Sequence, residues 1–189
     1  MEPIVTSFVL VALSEMGDKT QLLAFSLATR YRRPWVVMAG ILAATVLNHA
    51  LASTAGTWIS EHVPARAMAG ILAATFIAFG LWTLKPDTLD EARGADRFGP
   101  FLTTTVLFFL AEMGDKTQLA TVALAARYQS VFLVTAGTTL GMLASDGFAV
   151  FLGEKLAGRV SMRWIRYAAA TVFFAFGAAS LWGTFPASS

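Results

Sequence analysis

The sequence predicts an all-α integral membrane protein with six transmembrane helices arranged as two inverted three-helix repeats. Three observations carry that prediction. The 189-residue chain is 56% hydrophobic and 14% charged, with a mean hydropathy of +0.63, well beyond a soluble domain of this size. It contains six apolar runs long enough to cross a bilayer. The stretch EMGDKTQL, Glu15 to Leu22, returns letter for letter as Glu112 to Leu119.

A hydrocarbon core of roughly 30 Å takes about 20 helical residues. The runs that meet this length are Ile4 to Thr29, Pro34 to Ile59, Ala65 to Leu84, Phe101 to Ala126, Ser130 to Gly153 and Trp164 to Thr184. Trp35, Trp58, Trp82, Trp164 and Trp182 fall near their ends, the headgroup level that an amphipathic ring prefers. Barrel strands are excluded, because the runs are continuous and do not alternate polar with apolar residues. The first run contains the repeated motif and follows Met1-Glu2-Pro3 without a basic region, so it reads as a retained span and not a cleaved signal peptide. No cysteine is present, which removes disulfides, thiolate metal sites and a cysteine nucleophile. A net charge of +2 gives no reason to expect a nucleic-acid partner.

The repeat runs the length of the chain at an offset of 97 residues. Arg30-Tyr31 pairs with Arg127-Tyr128, Ala39-Gly40 with Ala136-Gly137, Gly56 with Gly153, and Ala78-Phe79-Gly80 with Ala175-Phe176-Gly177. Residues 1–84 therefore form one three-helix repeat and 101–189 the second, joined by a linker at 85–100, KPDTLDEARGADRFGP. This polar stretch of mixed charge reads as a solvated connector. Three spans per half force the second half to enter from the opposite side, which makes the repeats inverted. Ten Lys and Arg residues fall on the linker side of the membrane, against Arg66 and Arg127 on the other. The linker is expected in the cytoplasm and both termini outside.

Glu15 and Glu112 each lie eleven residues into their spans, about 16 Å down a helix and close to the midplane. On a continuous helix Glu15, Asp18 and Lys19 would share one face, as would Glu112, Asp115 and Lys116. Gly17 and Gly114 permit close approach of a partner helix or a local unwinding. Mutual neutralisation of Glu and Lys for packing alone is a poor account, since each charge at the bilayer centre costs about 2.5 to 3.5 kcal/mol. Four carboxylates and two ammonium groups instead leave two negative charges, the complement of one divalent cation. Carboxylate, amide and hydroxyl oxygens suit Ca²⁺, Mg²⁺ or Mn²⁺, whereas Zn²⁺ or Cu⁺ would favour thiolates and clustered imidazoles.

Two copies of E-x-G-D-[K/R]-[T/S], Glu15 to Thr20 and Glu112 to Thr117, resemble the manganese and calcium transporter family of Golgi, thylakoid and bacterial membranes, a branch of the cation/calcium exchanger group. Both copies match in full, and the six-span layout covers essentially the whole chain. The resemblance implies cation-for-proton exchange, with Glu15, Asp18, Glu112 and Asp115 as the metal site. It further implies manganese export in bacterial members, and the compact form here is similar to theirs, which places the chain in a bacterial cytoplasmic membrane. Mn²⁺ or Ca²⁺ would be cargo, with protons as the counter-substrate, no tightly bound cofactor and no catalytic residue.

Lys19, Thr20, Gln21, Lys116, Thr117 and Gln118 are further candidates for ligands or a proton pathway. His49 and Asp146 join them from equivalent places in the second and fifth spans, beside Asn48 and Ser145. A hydrogen-bonded interhelical role suits His49 equally well, whereas a carboxylate within a span usually faces a polar pathway. Gly137, Gly141 and Ser145 form a small-residue stripe suited to packing. A membrane enzyme such as a lipid pyrophosphatase would want Arg clamps near its phosphate, yet every Arg lies at a span end or in a loop. An exporter of amino acids or other small solutes with the same three-plus-three layout is the alternative function.

Overall fold

The computed structural model describes residues 1–85, 98–156 and 162–182, and within them the chain is helical, with no strand. The elements are α1 (Glu2–Glu15), α2 (Lys19–Tyr31), α3 (Pro34–His62), α4 (Ala65–Thr83), α5 (Gly99–Glu112), α6 (Lys116–Tyr128), α7 (Val131–Leu156) and α8 (Met162–Trp182). Three segments are long and apolar enough to cross a membrane: Pro34–His62, Arg66–Thr83 and Val131–Leu152.

Among the described residues, eight helices stand where the sequence predicts six transmembrane helices. The runs from Ile4 and from Phe101 are each broken at the motif. Met16 is extended and Gly17 takes φ +81°, and Met113 and Gly114, at φ +76°, repeat the bend. A left-handed residue ends a right-handed helix and favours glycine. Asp18 and Asp115 then cap the next helices, each accepting a hydrogen bond from the following lysine N–H at 2.8 and 2.7 Å. Local unwinding, and not a continuous charged face, is what the two motif glycines provide. The expected sharing of one helical face by Glu15, Asp18 and Lys19 is therefore overturned, and likewise for Glu112, Asp115 and Lys116.

α2 stops where Arg32 turns left-handed, its N–H bonding Ala28 O at 2.9 Å, and Pro34 opens α3. α6 stops in the same way at Gln129. α5 begins at Gly99, within the stretch assigned to the linker. Residues 86–97 of that linker lie outside the described residues.

The halves interleave. α1 packs along α7, α5 along α3, and α4 along α8, while α3 also contacts α6 and α7. Missing side chains make the closest approaches possible. A Cβ on Gly137 would stand 2.5 Å from Ile4 O and 2.9 Å from Ser7 Cβ. One on Gly40 would stand 2.9 Å from Phe101 O and 2.7 Å from Thr104 Cβ, at the equivalent positions of the other half. Gly141 admits the backbone of Phe8 in the same manner, so the small-residue stripe on α7 is a packing surface.

The apolar core forms two clusters among the described residues. Val11, Leu27 and Phe108 lie in one cluster, and Leu124, Phe76 and Phe173 in the other. Trp35, Trp58 and Trp164 are well exposed near the helix ends.

Candidate functional site

The two breaks place both motifs in the protein interior. Glu15, Asp18, Glu112, Asp115, Lys116, Thr20 and Thr117 are all buried. α1 and α5 end at the glutamates, so their last carbonyls, the negative ends of the helix dipoles, are turned toward this region. α2 and α6 begin at the aspartates, which answer the positive ends.

The lysines cross from one repeat to the other. Lys19 Nζ lies 3.0 Å from Asp115 Oδ2, and Lys116 Nζ lies 2.7 Å from Asp18 Oδ2. Each aspartate thus caps its own helix through Oδ1 and holds the other repeat's ammonium through Oδ2. Charge-assisted contacts of this kind are roughly twice as strong as neutral ones. The two pairs differ in exposure: the Lys19 side chain is 28% exposed and that of Lys116 only 3%. This pairing escaped the sequence reading, which placed each lysine on one helical face with the carboxylates of its own motif. The signal lay in the repeat itself, because two identical motifs meeting head to head must set the lysine of one against the aspartate of the other.

The glutamines brace the bends. Gln21 Oε1 accepts from Gly17 N–H at 2.8 Å, and Gln118 Oε1 accepts from Gly114 N–H at 2.8 Å. Gln21 Nε2 donates to Ser145 O at 3.0 Å and to its hydroxyl at 3.3 Å, while Gln118 Nε2 donates to Asn48 Oδ1 at 3.4 Å. Asn48 and Ser145 are equivalent positions of α3 and α7, so each broken helix is anchored on the long helix of the other half. Asn48 also donates to Phe109 O at 3.1 Å.

The glutamates do not share this symmetry. Glu15 accepts from Thr20 Oγ1 at 2.6 Å and from the Thr117 hydroxyl. Both oxygens of Glu112 and both of Asp146 are buried without a hydrogen-bond partner among the described residues, as are both ring nitrogens of His49. Glu112 lies within electrostatic reach of Glu15, Asp115, Asp18 and Asp146, and Asp146 within reach of Glu15. The carboxylates named from sequence thus come together electrostatically, and α7 adds Asp146. Among the described residues, no three His, Cys, Asp or Glu side chains form a ready-made metal cluster.

This donor set fits a hard divalent cation as cargo. Glu112 and Asp146 have no hydrogen bond to break before turning toward an ion, and buried carboxylate oxygens left unpaired are costly unless a cation or proton meets them.

Known proteins are similar to this chain along nearly its whole length. A family model described as divalent cation/proton antiporter GDT1 matches twice, over residues 3–91 and 100–188. A Vibrio cholerae protein named "Putative manganese exporter" is 40% identical over 174 residues, covering 92% of this chain and 87% of that protein. A GDT1-like protein of Synechocystis is 32% identical over 198 residues, with 92% and 93% of the two chains covered. GDT1-like protein 5 of Arabidopsis thaliana is 31% identical over 216 residues, covering 93% of each. No solved structure matches. The family is one of cation transporters and not of enzymes, and its model falls on the two halves that the doubled motif marks out; the chain belongs to the GDT1 family of divalent cation/proton antiporters.

Proposed function

We propose that the chain exports Mn²⁺, or Ca²⁺, from the cytoplasm in exchange for protons, through a site centred on Glu15 and Glu112. The observation that carries this reading is the crossed pairing of the lysines. Asp18 and Asp115 are each met by an ammonium group, so Glu15 and Glu112 are left as the motif carboxylates outside the two salt bridges, with the lysines within electrostatic reach but not in contact. Their combined charge balances one divalent ion. Asp18 and Asp115 supply further oxygens as the ion enters, and Asp146 a third buried carboxylate from α7. The name of the Vibrio cholerae relative favours Mn²⁺ as the cargo.

Proton coupling follows from charge. Once the ion leaves, the glutamates and Asp146 face one another across a low-dielectric interior, and carrying that charge between inward-open and outward-open states is costly. Protons taken up in place of the metal remove the cost, so the return step carries protons inward. Proteoliposomes containing Mn²⁺ and a luminal pH dye test the exchange. Imposing a pH gradient should drive Mn²⁺ flux with opposite proton flux. Mn²⁺ flux indifferent to the gradient would leave a channel or uniporter as the description, and absence of any divalent flux would favour the small-solute exporter.

The six-span inverted layout belongs to the same proposal, with α1–α2 and α5–α6 each acting as one interrupted span in the membrane of a bacterial cell. Discontinuous helices whose ends meet at the midplane are the usual architecture of ion sites in transporters built from inverted repeats. The excess of basic residues on the linker side supports both termini outside. The natural absence of cysteine permits single introduced cysteines as probes. A cysteine in place of Glu2, which is exposed, should react with an impermeant reagent in intact cells, whereas one in residues 86–97 should not; the reverse pattern overturns the orientation.

A further inference from the structure

Arg66 and Arg127 are the basic residues left on the side of the chain otherwise poor in Lys and Arg, and both line one cavity of about 610 Å³ between α4, α6 and α8. Neither guanidinium has a carboxylate partner among the described residues. Arg127 is instead held in place by α8: its Nη1 donates to Ser180 Oγ at 2.9 Å, and its Cζ lies 5.6 Å from the Phe176 ring centre. Ser60, Gln129 and Ser180 add neutral donors to the lining. The same cavity opens at the start of α4, whose N-cap, Pro64, makes no side-chain cap, so the positive end of that helix dipole also faces an entering anion.

A second groove, of about 460 Å³, continues from the first and shares Met68, Leu72 and Ala126 with it. Its further lining is almost wholly apolar and includes Ile71, Phe79 and Trp82. From Met68 to Trp82 the groove follows α4 for about 21 Å. One leaflet is about half of the roughly 30 Å hydrocarbon core, so the part of the groove from Met68 to about Phe79 is deep enough for an acyl chain. α4 is itself long and apolar enough to cross the membrane.

We propose that the combined cavity is a binding site for an anionic phospholipid, with its phosphate between Arg66 and Arg127 and one acyl chain along α4 from Met68 toward Phe79. The two parts match the two ends of such a molecule in chemistry and in order. A free anion would use the cationic end and leave the groove unexplained, and a neutral lipid would use the groove and leave unexplained two guanidiniums that no carboxylate meets among the described residues. The site lies at the α4–α8 contact between the halves, where a bound lipid would bear on their relative movement.

The test uses full-length protein reconstituted at increasing mole fractions of phosphatidylglycerol or phosphatidylcholine with brominated acyl chains, which quench tryptophan on contact. A tryptophan in place of Ile71, which lines the groove about one turn from Met68 and is 49% exposed, is the reporter, isolated as the difference between Ile71→Trp and the wild type. The added signal should be quenched at about thirtyfold lower mole fraction of the anionic lipid, the order expected from two basic side chains at about 1 kcal/mol each. Arg66→Gln, at an exposed helix start, should abolish that preference without affecting folding, and Arg127→Gln should do the same. Inorganic phosphate should not compete. Equal quenching by both lipids, or an unchanged preference in both Arg variants, would overturn the proposal, as would displacement by inorganic phosphate, which would mark a free-anion site. None of these readings depends on cation transport.

Discussion

Glu112→Gln should abolish divalent cation transport, Glu15→Gln should do so about as completely, and the double variant should be little worse than either. Each substitution is close to isosteric and removes one of the two motif carboxylates that lie outside the crossed salt bridges. Loss of one such contact at about 3 kcal/mol corresponds to roughly 100-fold in rate. Groups acting on one ion do not add when removed together, so the second substitution has little left to take away. The two singles should differ in the protein itself. Glu15 accepts from two threonine hydroxyls, and a glutamine there can accept through one oxygen only. Glu112, buried without hydrogen bonds among the described residues, has none to lose. Thermal unfolding in detergent should show a lower Tm for Glu15→Gln and an equal or higher one for Glu112→Gln. Mn²⁺ uptake into proteoliposomes checks the transport arm, and near-normal transport of Mn²⁺, Ca²⁺ and Mg²⁺ by either single variant would remove the two-motif site.

The doubled motif was legible in the sequence because its letters repeat, and its depth followed from counting residues along an apolar run. What the motif does to the backbone was not. Periodicity and hydropathy continue unbroken through Met16 and Gly17, so composition alone cannot distinguish a glycine that lets two helices touch from one that ends a helix. That choice rests on a few local groups. Asp18 can cap α2, Gln21 can take the freed Gly17 N–H, and together they satisfy donors that an uncapped break would leave bare. The asymmetry of the glutamates was also hidden, since identical letters in equivalent places gave no reason for Thr117 to bond Glu15 across the interface. Asp146 was visible as a carboxylate within a span. Its electrostatic coupling to Glu15 required the packing of α1 along α7.

Lys116→Met should destabilise the protein far more than Lys19→Met, although the two lysines occupy equivalent positions in identical motifs. The Asp18–Lys116 pair is buried, at 0% and 3% side-chain exposure, whereas Lys19 is 28% exposed opposite Asp115. Removing one partner of a buried pair leaves an uncompensated charge and costs about 3 to 5 kcal/mol, roughly a 10 °C fall in Tm for a chain of this size. At the partly exposed pair, solvent and salt take up much of the loss, and the fall should be a few degrees. Asp18→Asn alone leaves the Lys116 ammonium buried opposite a neutral amide and should also destabilise. Combined with Lys116→Met, it removes the stranded charge while the amide oxygen still caps α2 through the Lys19 N–H. The double variant should therefore recover most of the stability that Lys116→Met loses, a coupling that the contact distance of the pair requires. It should not recover transport, because the pair supplies oxygens to the ion and joins the two repeats at the place where they must move. Equal loss from the two lysine variants would mean that the exposure difference has no energetic weight. Additive losses in the Asp18→Asn, Lys116→Met double variant would mean that the crossed pair is not a unit, and that the charges are held by other partners.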